Sequence, residues 1–511
     1  MAQAYICNAF TLYIHSNTAR NQFMNKKIFL SLCLLYTTGL RAQNSRQIGA
    51  AGGQEALSLK KDISYLSSNE LKGRQIGAAG EQMASTYIQN ALGKDKLVVS
   101  VQTVEFVKLR MATAQCKMAV NILGLDSIAK TFTLFSEYYP LSQSSNKDSI
   151  TANWVDCGYG IVDKKTGKDD FAGQTIAGQI AVIRTGYFAM DEFPDSLWDE
   201  ASNLSAKILA ATQRGAVGIL FIRGNNKIAA PSGSLNRSEK TQNIPVFFYN
   251  STGLFPRAPL TLVSHIRVFK GQGQTVIGYR NNHKKKTIVV CANHDHIGVN
   301  EFENSAKVGS QEIHNGANNN ASGVASLLAL AHSLKGKRYN KNNYLFVSFS
   351  GEEMGALGSA EFLQHPPQQL KAKNNPLGKV NYAIHLQALG RLDPDSKLLS
   401  ISGQGSSPAF HRAIERIQTD THQLRIAPNA PTETNTNTDS KTASYLLESF
   451  AGASIPLLAM STGINEDDRR PSDDEEKINY WGLLASVDCA KQVIAALNKK
   501  GKLPLGKNPS R

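Results

Sequence analysis

From Gln274 onward, short apolar runs alternate with stretches of helical spacing, and this alternation restricts the fold more than any other feature of the chain. The runs read TIVVCANHD, YLFVSFS, YAIHLQALG and SIPLLAM, and the helical stretches cover 321–334, 359–363 and 480–497. Strands and helices in such alternation predict an α/β sandwich whose central sheet is mostly parallel and lies between helices. Sheets of this kind bind ligands just beyond the carboxyl ends of their strands. Most of the chemically distinctive residues of this chain stand at such ends.

Ahead of that region the spacing predicts helices over 57–66 and 80–92, separated by SSNELKGRQIGAAG, as a lead-in to the larger domain. From about Phe135 to Gly253 the texture changes to short β-rich runs such as GQIAVIRTG and GILFI, with a helix over 201–214 and a closing strand in IPVFFYN. This is read as a compact β-rich insert. The chain therefore divides into 1–42, an over-extended start plus signal peptide; 43–134, the lead-in and first part of the larger domain; and 135–255, the insert. The remainder of the larger domain spans 256–498, and 499–511 form a basic tail.

Composition sets outer limits. With 511 residues, 41% of them hydrophobic, the chain can bury a large core and is long enough for two or three domains, which argues against disorder. The formal charge of +15 is scattered, its densest runs being His283 to Lys286 and the tail from Lys499, so nucleic acid is not an expected partner. The text MNKKIFLSLCLLYTTGLRAQ, starting at Met24, has the charged start, apolar stretch and small-residue end of a signal peptide, with cleavage after Ala42. That predicts export to the periplasm or beyond. Its apolar stretch is too short for a membrane span, and Leu32 before Cys33 is too bulky for lipid-anchor processing. No transmembrane span is expected in the mature protein. The remaining cysteines, Cys116, Cys157, Cys291 and Cys489, match no metal or redox spacing and read as buried thiols, although an oxidising compartment permits disulfides.

The strongest local signal is FSGEEMGALGS, 349–359, where an apolar strand meets two adjacent glutamates and a glycine-rich turn. By themselves Glu352 and Glu353 could simply open a helix, where the dipole favours acids. Three further motifs, VVCANHDHIG, NGANNNASGVASLLALA and YAIHLQALGR, change that balance. Together with LSSNELKGRQIGAAGEQMASTYIQ and in this order, they resemble the dizinc aminopeptidase family, which includes bacterial leucyl-type aminopeptidases, glutamate carboxypeptidase and the transferrin receptor ectodomain. The resemblance runs from Leu57 to about Leu497. Within the insert, AGQIAVIRTG, AKILAATQRGAVGILFI and IPVFFYN resemble the protease-associated domain, a lid-like module found in secreted peptidases.

The resemblance implies two zinc ions about 3.5 Å apart, held by five residues around a bridging water, with a glutamate that takes the water's proton. Carried over residue by residue, the general-base Glu falls on Glu352 and the neighbouring ligand Glu on Glu353, both kept. Asp295 matches the retained Asp behind the first His ligand, but that His itself falls on Asn293. The bridging Asp falls on Asn319, the Asp of the NLDMIGR strand end on Gln387, and the last His, which precedes TPSD in the family, on Arg469. Four of the five ligand positions are thus substituted. Neutral amides do not replace a carboxylate's charge, Asn has no imidazole nitrogen, and a guanidinium has no lone pair to give and repels a divalent cation.

No cofactor is therefore expected, where the family would bind two zinc ions. A rebuilt single-zinc site using His294, His296, His314 or His385 is the alternative, and ordinary packing or hydrogen bonding is the expected role of those histidines. His294 should point to the opposite face of its strand from Asn293. Without metal, Glu352 and Glu353 repel each other and need a cation, which Arg469 is expected to supply, with Asn293, Asn319 and Gln387 completing neutral hydrogen bonds. The expected function is that of a catalytically inactive homologue kept as a binder of a peptide or peptide-like ligand, or as a scaffold. An active zinc aminopeptidase with a rearranged metal site is the competing reading, and a metal-free hydrolase built on Glu352 lacks any visible oxyanion stabiliser. The stretch from Pro428 to Ser444 is expected as a loop beside the groove, and Tyr445, Leu446 and Leu447 stand where the family often has SDH. Ligand identity and oligomeric state are not encoded in any motif.

Overall fold

Thr287–Asn293 is buried at every position, and so are Asn343–Phe349 and Val380–Leu386. A strand that shows no in-out alternation must be covered on both faces, which is how the centre of a parallel sheet differs from a sheet with one wet side. The computed structural model describes residues 50–122, 128–187, 203–224, 229–237, 239–299, 312–420, 424–428, 438–498 and 501–506. The signal-peptide segment, most of the 428–444 stretch and most of the basic tail lie outside them. The chain forms two compact units, one made of 1–104 and 273–511, the other of 105–272.

The first unit holds helices α1 (Ala50–Leu66) and α2 (Ala79–Lys94), then strands β1 (Leu260–Arg280, through its last residues), β2 (Thr287–Asn293) and β3 (Asn343–Phe349). Helix α3 (Gly323–Ser333) connects β2 to β3, and α4 (Leu357–Gln364) follows β3. Strands β4 (Val380–Leu386) and β5 (Leu398–Ser402) come next, then α5 (Pro408–Asp420), β6 (Arg425–Pro428), α6 (Thr438–Gly452), β7 (Leu457–Ser461) and α7 (Tyr480–Leu497). The strands lie in the order β6–β5–β7–β4–β2–β3–β1. Strand β2 pairs in parallel with β3 and β4, and β4 with β7, while β1 and β5 run antiparallel to their inner neighbours.

Alternate residues of β2 enter two separate cores. Ile288, Val290 and Ala292 pack with α1, α2, α3, α5 and α7 through residues such as Leu59, Ile88, Leu327, Phe410 and Val493. Val289 and Cys291 pack on the other side with Phe362 of α4 and Leu446, Leu447 and Phe450 of α6. Each large aliphatic side chain so buried contributes roughly 1.5–3 kcal/mol. The register then sets the site. Asn293 pairs with Phe349, Cys291 with His385, and Leu386 with Met460, so β2, β3, β4 and β7 all end along one edge.

The second unit, 105–272, has its own sheet in the order Tyr138–Pro140, Val246–Tyr249, Gly218–Ile222, Ile180–Arg184, Trp154–Asp156, parallel except for the first strand. The helix Leu204–Gln213 packs Ile208 and Ala211 against Ile183, Phe221 and Phe248. This unit contains the expected insert 135–255 and extends beyond it at both ends. The four cysteines of the described residues are free and buried. No helix among the described residues is long and apolar enough to cross a membrane.

The turn from β3 into α4 is tight because a Cβ on Gly358 would stand 2.3 Å from the Ser350 carbonyl oxygen. Gly358→Ala is therefore expected to lose about 1–3 kcal/mol in denaturant unfolding. Gly336→Ala, with nothing within 4 Å of the added carbon, should be neutral within about 1 kcal/mol.

Candidate functional site

At the edge where β2, β3, β4 and β7 end, the chain turns polar within one or two residues of each strand. Beyond β3, Gly351 takes φ +88°, a conformation that glycine alone adopts freely, and swings Glu352 and Glu353 beneath the edge. Glu352 is buried and turned toward α4: its carboxylate accepts the backbone N–H of Ser359 at 2.7 Å and the Ser359 hydroxyl at 3.0 Å. These bonds satisfy a free N–H in the first turn of α4. Burial, with the charge of Asp295 nearby, nevertheless pushes Glu352 up to about 8.

Glu353 points elsewhere. Its carboxylate accepts a hydrogen bond from the Arg469 guanidinium, and its other oxygen lies 3.6 Å from His296 Nδ1, an electrostatic contact longer than a hydrogen bond. Burial alone would raise this acid, but His296 and Arg469 outweigh it and hold Glu353 down at about 2. Its backbone N–H donates to Asp295 Oδ2 at 3.1 Å. Asp295, fully buried, is pushed up to about 6 by burial and by the Glu353 charge.

Of the three amides expected to complete neutral hydrogen bonds, Asn293 is joined into a network, with partners that the sequence did not name. Asn293 Nδ2 donates to the Asp295 carbonyl at 3.2 Å, and its Oδ1 accepts from Asn320 Nδ2 at 2.9 Å. Asn320 also donates to the Leu386 carbonyl at 3.0 Å and accepts the Ala388 N–H at 2.9 Å, tying the end of β2 to the end of β4. Asn318 Oδ1 accepts the Gly390 N–H at 2.8 Å. Asn319 contributes its backbone N–H to Asp473 at 3.0 Å, while its side-chain Oδ1 is buried and has no hydrogen-bond partner among the described residues. Gln387 lies beside His385; burial takes His385 down to about 4 against the pull of that amide.

The candidate histidines separate. His294 turns to the opposite face from Asn293, where Nδ1 meets Ser348 Oγ at 3.0 Å and Nε2 meets Glu81 Oε1 at 3.3 Å. His385 faces Cys291 Sγ at 3.7 Å. His314, in the short strand Ile313–His314, is hydrogen-bonded to the backbone of Arg469. Only His296 comes beside Glu353.

Arg74 was missed altogether. It comes from the lead-in text ELKGRQ and is 1% exposed, yet its guanidinium pairs with no carboxylate among the described residues. It donates instead to the carbonyls of His294 at 2.8 Å, Asn315 at 2.7 Å, Gly316 at 3.0 Å and Leu66. Burial lowers it to about 10, and Asp473, Asp295 and Glu353 sustain its charge through space. Asp473, which accepts the N–H groups of Asn318 and Asn319, is the second omission, although it closes the RRPSD motif. Arg74 has no sequence signal beyond its place in that lead-in.

These side chains do not fit a pair of zinc ions. Both groups of the Asn293 amide are hydrogen-bonded, and the carboxylate of Glu353 is taken by a guanidinium. Among the described residues no group of three or more His, Cys, Asp or Glu is arranged to hold a metal ion. What the arrangement can do is offer a polar floor of amides and acids beneath a sheet edge.

Glu352 makes stability depend on pH in a defined sense. Its pKa in the folded chain, about 8, lies above the ordinary value of 4.5, so its favourable contribution is complete below about 4.5 and fades as pH rises through 8. Glu352→Gln, which can keep both bonds to Ser359, should therefore gain stability relative to the unmodified protein from pH 5 to pH 9. Melting curves across that range check it; a constant difference would contradict the assignment.

The family model of peptidase family M28 matches residues 275–494. No curated protein matches the chain. Among solved structures the chain is similar to an aminopeptidase from Aneurinibacillus sp. strain AM-1, at 18% identity over 88% of this chain and 94% of that one, with a TM-score of 0.47. It is also similar to BSAP, a zinc aminopeptidase from Bacillus subtilis, at 19% identity over 89% and 98% of the two chains and a TM-score of 0.45. It is similar as well to a Bacteroides thetaiotaomicron glutaminyl cyclase bound to N-acetylhistamine, at 12% identity over 86% of this chain and 97% of that one, with a TM-score of 0.41. The sheet edge described above lies within residues 275–494, the part of this chain that matches the model of peptidase family M28.

Proposed function

We propose that this chain is an exported, non-catalytic member of its peptidase family that uses the edge of its sheet to hold a peptide or peptide-like ligand. The ion pair between Arg469 and Glu353 carries this reading. Glu353 stands at the one ligand position of five that keeps a metal-binding residue, and its partner is a group that cannot bind metal. The hydrogen bonds of Asn293 point the same way, since its amide is oriented by the Asp295 carbonyl and by Asn320 and has no imidazole nitrogen to offer a cation.

Glu352 fits the reading too. A general base must reach the water that it deprotonates, whereas both oxygens of Glu352 accept from Ser359 and turn the carboxylate into the first turn of α4. The scaffold that places peptides in this family is built by the strand ends, and those ends stay in register here. The β-rich unit is proposed as a protease-associated module, and the segment from Met24 as the export signal.

Metal analysis of the purified protein tests the reading. The expected result is well under one zinc per chain after dialysis, and no release of amino acids from aminoacyl-p-nitroanilides with or without added zinc. Two tightly held zinc ions per chain with chelator-sensitive release would overturn it in favour of an active aminopeptidase. The combined variant Asn293→His, Asn319→Asp, Gln387→Asp and Arg469→His should acquire zinc binding that the unmodified protein lacks, measured by titration calorimetry.

A further inference from the structure

The site brings together Asp295, just past β2, and Glu352 and Glu353, just past β3, with Asp473 bound to the asparagine segment, and each is at least largely buried. Buried acids need compensation, and removing the compensating partner of one is far more costly than removing an exposed pair. Three of the four have other means. Glu352 is bound by Ser359, Asp473 by the N–H groups of Asn318 and Asn319, and Asp295 by the N–H of Glu353. Glu353 is different: its hydrogen-bonded partner is a cation, Arg469, with His296 Nδ1 beside the other oxygen at 3.6 Å. Arg74 lies too deep to serve, because its N–H groups are given to main-chain carbonyls.

Arg469 is also held in place for this task. Its backbone takes φ +58°, a left-handed conformation that is uncommon for a residue with a side chain. The loop around it is anchored through Asp467, whose carboxylate binds Arg391 at 2.8 Å, Lys477 at 2.6 Å and the Ser472 hydroxyl at 2.6 Å, and whose carbonyl accepts the Arg470 N–H at 2.9 Å. A flexible surface arginine that met an acid by chance would not need such an anchor. The side chain of Arg469 is 31% exposed and that of Glu353 10%, so the acid is the buried member of the pair and the arginine reaches in to it.

We propose that Arg469 is a built-in counter-cation, whose guanidinium supplies at Glu353 the positive charge that a bound metal would supply, so that the site keeps its shape without any metal. This rests on the reading of the site as metal-free and adds a role for the substitution itself. The change from a ligand to an arginine is then not mere decay. It is the replacement of an exchangeable cation by one that belongs to the chain.

The test is a thermal-melting comparison in chelator-treated buffer. Arg469→Ala should lower the melting temperature by several degrees, and Arg469→Lys, which keeps the charge, by clearly less. The double variant Glu353→Gln with Arg469→Ala should recover most of the loss, because the uncompensated acid is gone. Millimolar methylguanidinium, compared with equal potassium chloride, should raise the melting temperature of Arg469→Ala and leave the double variant unchanged. If Arg469→Ala melts with the unmodified protein, or if Glu353→Gln gives no recovery, the proposal fails. Should Arg469→Ala not fold, the Glu353→Gln background decides: a double variant that folds and melts normally supports the proposal, and one that fails to fold overturns it. Chelated samples keep this outcome separate from the zinc and hydrolysis measurements, which judge the absence of catalysis.

Discussion

Negative charge buried under the carboxyl edge of a parallel sheet is the constraint around which the first unit is organised. β2, β3 and β4 are buried along their whole length, and the acids of this site are therefore held just past the strand ends. There, acids are brought together by backbone geometry, not by mutual attraction, and each must be matched by donors or cations. In the family that the sequence resembles, bound metal is what would serve that purpose. Here the matching is done by the protein's own groups: Ser359 for Glu352, main-chain N–H groups for Asp473, and Arg469 for Glu353.

The run of asparagines shows why neutral amides suit such a place. A carboxylate accepts only, so two carboxylates near each other need something positive between them. An amide accepts and donates, and can therefore join two main-chain segments without any added charge. Asn320 does this between β2 and β4, with its nitrogen on Asn293 and Leu386 and its oxygen on the Ala388 N–H. The substituted position Asn293 is absorbed into the same lattice. Asn319 stays outside it, its Oδ1 lacking a partner among the described residues, as does the Asn318 Nδ2.

How much of this was legible in the sequence follows from the range of each interaction. Strand and helix periods are local, and the runs TIVVCANHD, YLFVSFS and YAIHLQALG became β2, β3 and β4 with their polar ends at the edge. The opposite orientation of His294 and Asn293 follows from the two-residue period of a strand and is equally local. Strands β5 and β6 were passed over; β5, LLSIS, mixes exposed with buried positions and lacks the unbroken burial of the central strands. Arg74 was illegible for a different reason. It binds carbonyls at Asn315 and Gly316, more than two hundred residues away, and nothing in ELKGRQ distinguishes a buried guanidinium from a solvated one. Ser359 stood inside the quoted glutamate motif, but its hold on Glu352 depends on how tightly α4 returns under β3, which only packing decides.

The two retained glutamates have thus acquired different fates, although they are neighbours. Alternate directions of the chain after Gly351 send Glu352 to the first turn of α4 and Glu353 toward Arg469. Glu352 is held by neutral donors in a setting that favours its protonated form, whereas Glu353 is held by a cation and stays ionised. A pair that would act together around a metal-bound water is divided here between a helix cap and an ion pair. Retention of the residue types in FSGEEMGALGS therefore does not by itself carry retention of the chemistry, because the function of each carboxylate is set by the group that its environment places opposite it.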